Sequence, residues 1–200
     1  MRLRRIRRSE LPTDTTELAR FLVGAFLVLD GDLGRLSGRI VETEAYLVGD
    51  AAAHSYNGPT ARNRSLFLER GHAYVYFIYG NWHCMNVSGE SAGIGAGVLL
   101  RAMEPIDGLP IMQARRPRAK AERVASGPGC LATAMGIDRH LDGVDLCGKG
   151  PFWLGTLGKA KAELPIGNST RIGLTKEAHR KLRFYLRGSP SLSGSRRLNA

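Results

Sequence analysis

Cysteine is scarce in this chain of 200 residues: Cys84, Cys130 and Cys147 are the whole complement. An odd count without paired spacing argues against a disulfide framework, and no C-x-x-C is present to suggest a zinc site. Long apolar runs are also missing. The longest, Phe21 to Leu29, is interrupted by Gly24 and falls far short of the roughly 20 residues that cross a bilayer. The Arg-rich opening MRLRRIRRSELP is not followed by the apolar stretch of a signal peptide. There are no internal repeats, no P-loop and no dinucleotide fingerprint; the glycines of GESAGIGAG follow no strand–helix pattern. His54, His72, His83 and Cys84 lack metal-ligand spacing. These absences predict a soluble, cytoplasmic protein without a membrane span and leave any metal site weakly supported. Acidic residues are few as well: 18 Asp plus Glu face 29 Lys plus Arg, leaving a net charge of +11. Such a field favours a polyanionic partner, nucleic acid before an anionic membrane.

What is present points to one domain. Residues 1–12 read as a flexible basic arm, 13–190 as the folded unit and 191–200 as a frayed tail. Asp14 and Glu17 stand at capping-box spacing and predict a helix from Thr15 to about Gly24. Strands are expected at AFLVL, at Arg35–Leu47, in the hairpin AYVYFIYGNWHCMNVS (73–88) and at GAGVLLRAMEPI (95–106). Residues 107–116 read as helical. The basic segment RRPRAKAERVASG reads as an exposed loop, and GPGCLATAMGI as a helix opened by Pro128. PFWL and LRFYLRGSP are further strands. Strands dominate and no βαβ rhythm appears, so the fold class is α+β: a curved, mostly antiparallel sheet flanked by helices, with a protruding hairpin.

Within this frame the stretch RIVETEAY is unusual, because a basic protein places Glu42 and Glu44 two residues apart among apolar neighbours. Strand alternation puts Glu42, Glu44 and Tyr46 on one face. A solvated strand face is the simplest account. Against it, the strand runs into a loop carrying His54, Arg62 and Arg64, and loops on rigid strands are where sites are built. Tyr74 reads as core. Tyr79, at the hairpin tip beside Gly80, either folds back on its sheet or wedges between bases, as apolar side chains do in the minor groove. Arg101, in an apolar strand, either snorkels outward or pairs with a buried carboxylate such as Glu44.

Taken in order, RIVETEAY, AAAHS, RNRSLF, YVYFIYG, CMNVS, GVLLRAMEP, SGPG and LRFYLRGSP resemble the alkyladenine (3-methyladenine) DNA glycosylase family, from about residue 11 to 190. The resemblance implies base flipping and hydrolysis of the N-glycosidic bond of damaged purines in double-stranded DNA by a monomer, without metal or cofactor. It implies that Glu44 is the general base, and that Arg101 and the backbone carbonyl of Ile172 hold the attacking water. Tyr46, His54 and Tyr76 would sandwich the flipped base, and Asn86 would exclude unmodified guanine. Tyr79 would fill the gap in the duplex, with Asn81 and Trp82 beside it at the minor groove and Arg62 and Arg64 on the backbone. The VETEAY and hairpin segments contain no lysine, so a Schiff base with strand cleavage is not expected. Two other classes stand as alternatives: a non-catalytic binder of damaged DNA, and a basic RNA-binding module. Glu42 carries no assignment.

Overall fold

The computed structural model describes residues 2–158 and 164–199. In chain order its elements are β1 (Arg4–Arg5), α1 (Thr15–Leu22), β2 (Phe26–Gly31), β3 (Gly34–Tyr46), β4 (Ala73–Ile78), β5 (Trp82–Ser88), β6 (Gly97–Asp107), α2 (Leu109–Arg115), α3 (Pro128–Met135), β7 (Phe152–Thr156), β8 (Ile166–Ser169) and β9 (Arg183–Leu186). The strands form one antiparallel sheet of nine, ordered β1-β7-β2-β3-β6-β5-β4. The first half of β3 pairs with β2; beyond the end of β2 the same edge of β3 takes up β9, which carries β8. This is the expected α+β architecture, and it makes β3 the strand on which everything else is registered.

The pairing of β3 with β6 contains the feature that positions the site. Ile40 faces Met103, Glu42 faces Ala102, and Thr43 faces Leu100. Val41 on one strand and Arg101 on the other are therefore extra residues, two offset bulges in a single ladder. A bulge re-aims the side chains around it. Here it lets Ile40 and Val41 both enter the main core, while Glu42 and Glu44 turn to the other side. The carbonyl of Arg101, released from the ladder, accepts a hydrogen bond from Gly127 N–H at 2.9 Å.

The main core lies between the sheet and the helices. Val75, Met85, Val87, Val98 and Leu100 point into it and meet Leu131, Ala132 and Met135 of α3 and Leu18, Ala19 and Leu22 of α1. Asp14 caps α1 by accepting from Glu17 N–H at 2.9 Å. The helix ends at Leu22, slightly before the expected boundary, because Val23 is extended and Gly24 adopts φ +87°. On the opposite face, Leu66, Tyr74, Tyr76, Cys84 and Leu99 form a smaller cluster.

Several expectations change. The N-terminal segment is docked rather than a flexible arm: β1 adds to β7, and Ile6 and Leu11 are buried. These two buried residues supply the anchor that the segment's five arginines conceal. The tail is likewise anchored, with Ser191, Leu192 and Ser193 buried and a 3₁₀ turn at Arg196–Asn199; Met1 and Ala200 lie outside the described residues. The basic segment is not wholly exposed, since Val124 and Ala125 are core residues. β8 was not expected at all. The hairpin turn is one residue tighter than read, because Trp82 already pairs with Ile78.

Candidate active site

Glu42 and Glu44 are both completely buried, at 0% exposure, so the solvated-face account of β3 does not hold. Buried carboxylates need partners, and these have arginines. Arg101 Nε donates to Glu42 Oε1 at 2.9 Å, and its Nη1 lies 3.3 Å from Glu44 Oε2. Arg183 Nε donates to Glu42 Oε1 at 2.7 Å. Ser193 completes the shell of Glu42 with its N–H at 2.6 Å and its hydroxyl at 2.8 Å. Burial raises the proton affinity of Glu42, but Arg101 and Arg183 together outweigh it and hold the carboxyl below its usual range. Burial likewise disfavours charge on Arg101, and the two carboxylates overcome that and keep it a cation.

Glu44 is held differently. The backbone N–H of Ile172 donates to its Oε1 at 2.7 Å, and the Tyr46 hydroxyl donates to its Oε2 at 3.0 Å. Burial and then the neighbouring Glu44 charge push the Tyr46 phenol well above its ordinary value, so it stays a neutral donor. The three groups that contact Glu44, namely Tyr46, Arg101 and Ile172, all line a cleft of about 210 Å³. His54, Tyr74, Tyr76, Asn86 and Leu99 line it as well. His54 packs edge-on against Tyr76 at 4.5 Å between ring centroids, and Tyr74 stacks on Tyr76 at 5.3 Å. Nδ1 of His54 and the Tyr74 hydroxyl share a hydrogen bond of 3.0 Å. Desolvation, and then the charge of Arg62, lower the His54 pKa, which favours a neutral imidazole in the wall. The Asn86 side-chain Nδ2 is buried and unpartnered among the described residues, an arrangement that costs free energy unless a ligand or water satisfies it.

The cleft opens beside the hairpin. Tyr79, at its tip, is 86% exposed and has φ +53°, followed by Gly80 at +74°. A tyrosine in the left-handed region costs about 1–2 kcal/mol, and the side chain it holds out stays almost wholly exposed. Asn81 is exposed beside it. Trp82 is half-buried, and its ring lies so close to Gly129 that a Cβ there would come within 2.7 Å.

The methylpurine-DNA glycosylase profile matches residues 9–190. The chain belongs to this family. It is an enzyme of the class that hydrolyses N-glycosyl bonds in DNA. It is 59% identical over 193 residues to a protein of Mesorhizobium japonicum provisionally named a 3-methyladenine DNA glycosylase, covering 96% of this chain and 92% of the relative. Similarly named relatives from Paraburkholderia phytofirmans and Methanoculleus marisnigri are 49% identical over 191 residues and 47% identical over 182; these matches cover 96% and 90% of this chain, and 89% and 94% of the relatives.

In this glycosylase the structure brings Arg101, Ile172, Tyr46, His54, Tyr76 and Asn86 to one cleft, with Glu44 buried directly behind Tyr46, Arg101 and Ile172. Ile172 presents its N–H to Glu44, a contact in addition to the water-holding carbonyl that the resemblance implies. Arg62 is exposed and leans back, with its Nη2 on the Phe77 carbonyl at 3.0 Å and its guanidinium 5.9 Å from the Tyr76 ring centroid. Arg64 is exposed. Tyr74 is both core and cleft wall. Arg183, Ser193, Asp50 and Arg171 were not foreseen. Arg171 donates to both oxygens of Asp50 and, at 3.0 Å, to the Ala45 carbonyl, and its guanidinium stacks on the Tyr46 ring at 4.6 Å. The pair is fully buried and fixes the backbone next to Ile172. Arg183 and Ser193 are hidden in sequence among neighbouring basic residues and serines, and Asp50 and Arg171 carry no motif.

Burial alone would raise the Asp50 carboxyl, but Arg171 and the Ala52 N–H hold it below the usual carboxylate range. With the folded value below the unfolded one of about 3.9, the ionised pair stabilises the protein above about pH 4. That contribution is lost as pH falls through the folded value. Asp50→Asn should cost about 3–5 kcal/mol near pH 7 in urea denaturation, because Arg171 is left without its counter-charge. The deficit relative to the unsubstituted protein should shrink below pH 4; a deficit independent of pH would contradict the assignment.

Proposed function

We propose that this enzyme is a monofunctional glycosylase that turns damaged purines out of duplex DNA and hydrolyses their N-glycosidic bond with a water activated by Glu44. The observation that carries the reading is the setting of Glu44: a buried carboxylate behind an aromatic cleft, held by Ile172 N–H, Arg101 and Tyr46. Its three contacts leave it placed beside the cleft rather than neutralised within the core.

In this reading the flipped base stacks against Tyr46 and the His54–Tyr76 wall, whose flat faces suit any purine. A water lodged between Arg101 and Ile172 attacks C1′ of the deoxyribose while Glu44 takes its proton. The C1′–N bond breaks, and its electron pair leaves with the base. An alkylated or deaminated purine accepts that pair readily, so a positioned water suffices. The carboxylate also favours the oxocarbenium character that develops at the sugar. Asn86, with an unsatisfied donor in the wall, reads the base edge and disfavours unmodified guanine. Tyr79 fills the gap left in the duplex. Extrusion costs a few kcal/mol, and least for damaged bases, which supplies part of the selectivity. Arg62, Arg64, Asn81 and Trp82 meet the strands around the lesion. The protein works as a cytoplasmic monomer on chromosomal DNA; among the described residues no helix is long and apolar enough to cross a membrane.

Glu44→Gln keeps the shape of the side chain and removes its basicity. Single-turnover excision of hypoxanthine should fall at least about 100-fold, the lower end of the range for a general base, with affinity for the lesion duplex nearly unchanged. Activity close to that of the unsubstituted enzyme would remove Glu44 from the mechanism. For Tyr79→Ala, stopped-flow fluorescence of a base analogue beside the lesion should report loss of the extruded state, together with weaker lesion binding. Equal affinity and equal extrusion would rule out the wedge.

A further inference from the structure

We propose that Glu42 is a positioning residue for the reaction, and that the C-terminal strap Ser191–Asn199 belongs to the catalytic apparatus because it locks Glu42 to Arg101. The inference rests on the reading of Glu44 and Arg101 given above and adds what holds Arg101 in place.

Arg101 is the bulged residue of β6, so the sheet ladder alone does not fix its side chain. Its orientation comes from the edge of the guanidinium turned away from the cleft. Nε donates to Glu42 Oε1 at 2.9 Å and to Ser193 Oγ at 3.3 Å, and Nη2 donates to Ser193 Oγ at 3.1 Å. The Ser193 hydroxyl in turn donates to Glu42 Oε1. With that edge engaged, Nη1 is the end aimed at Glu44. Charge balance supports the same division of labour. Glu42 is neutralised by Arg183 as well as by Arg101, so it can anchor Arg101 without cancelling the positive charge that faces Glu44.

The strap is also tied down by bonds other than those of Ser193 to Glu42 and Arg101. Arg123 donates to the Leu192 carbonyl at 2.6 Å and Ser126 to the same oxygen at 3.1 Å; Arg183 holds the Leu198 carbonyl at 2.9 Å. These bonds set Ser193 where its N–H and hydroxyl both reach Glu42. Ser193 lies just past residue 190, where the family match ends, in a stretch that reads from sequence as a frayed tail.

A residue that acts through Arg101 is recognised by a double-mutant cycle. Glu42→Gln should slow single-turnover hypoxanthine excision by about 10- to 100-fold, the scale of a misplaced catalytic group. Affinity for the lesion duplex should stay within about twofold, with rates compared at equal folded fraction, set by thermal melting. In an Arg101→Met background, Glu42→Gln should cause no further slowing. Ser193→Ala keeps the backbone N–H on Glu42 and removes only the hydroxyl; it should show a smaller loss that also vanishes with Arg101→Met. That variant carries the test if Glu42→Gln folds poorly. Multiplying losses in the cycle, or an unchanged rate in Glu42→Gln and Ser193→Ala, would overturn the proposal. An active Glu44→Gln enzyme would instead refute the reading of Glu44 and leave the cycle to report on Arg101 alone.

Discussion

Two carboxylates and two guanidiniums, Glu42, Glu44, Arg101 and Arg183, share one buried position in the middle of the sheet, and the remainder of the site is arranged around that fact. Removing any one of them leaves an uncompensated buried charge, which is strongly destabilising. The four come from β3, β6 and β9, strands that meet only where β3 passes from one neighbour to the next. The offset bulges at Val41 and Arg101 bring an arginine level with both glutamates. Chemistry and strand register are therefore the same problem here. A regular ladder would place Ile40 on the face of Glu42 and lose one or the other.

From this centre the site extends outward in layers of decreasing constraint. Tyr46 joins the charge network to the cleft, with its hydroxyl on Glu44 and its ring over Arg171. Asp50 and Arg171 fix the loop that leaves β3 to the segment that carries Ile172. The aromatic wall of His54, Tyr74 and Tyr76 is packed on the second cluster of the sheet. At the hairpin the protein holds a strained residue, Tyr79, out into solvent. Strain of that kind survives when the surrounding structure over-determines it, and β4 and β5 pair on both sides of the turn. The excess of positive charge, +11 over the chain, surrounds a site that is itself nearly neutral. Under the proposed mechanism the surface would meet phosphates, while the interior would favour a sugar that gains positive character.

Much of this was legible in the sequence. Alternation placed Glu42, Glu44 and Tyr46 together, and the strand boundaries of β2 to β6 follow from apolar patterning and turn residues. Membership of the family could be read from ordered motifs across most of the chain. The hydrogen-bonding shell was not legible, for a physical reason. Ser193 meets Glu42 across 151 positions and Arg171 meets Asp50 across 121, and neither contact leaves a local pattern. Bulges are equally silent, because one extra residue looks like any other until the register is known. The docked N-terminus and the buried tail were misread because composition rich in Arg, Ser and Gly hides the few apolar residues, Ile6, Leu11 and Leu192, that anchor them.

The proposed chemistry requires Glu44 to meet a water beside an extruded purine. The most direct measurement is a crystal structure of the enzyme with duplex DNA carrying an uncleavable analogue of a damaged purine nucleotide. The expected result is a base stacked between Tyr46 and the His54–Tyr76 wall, Tyr79 in the gap, and one ordered water about 2.6–3.2 Å from Glu44 that also contacts Arg101. A purine bound in the cleft with Glu44 still sealed behind Tyr46 and no water in reach, or a lesion left stacked in the duplex, would contradict it.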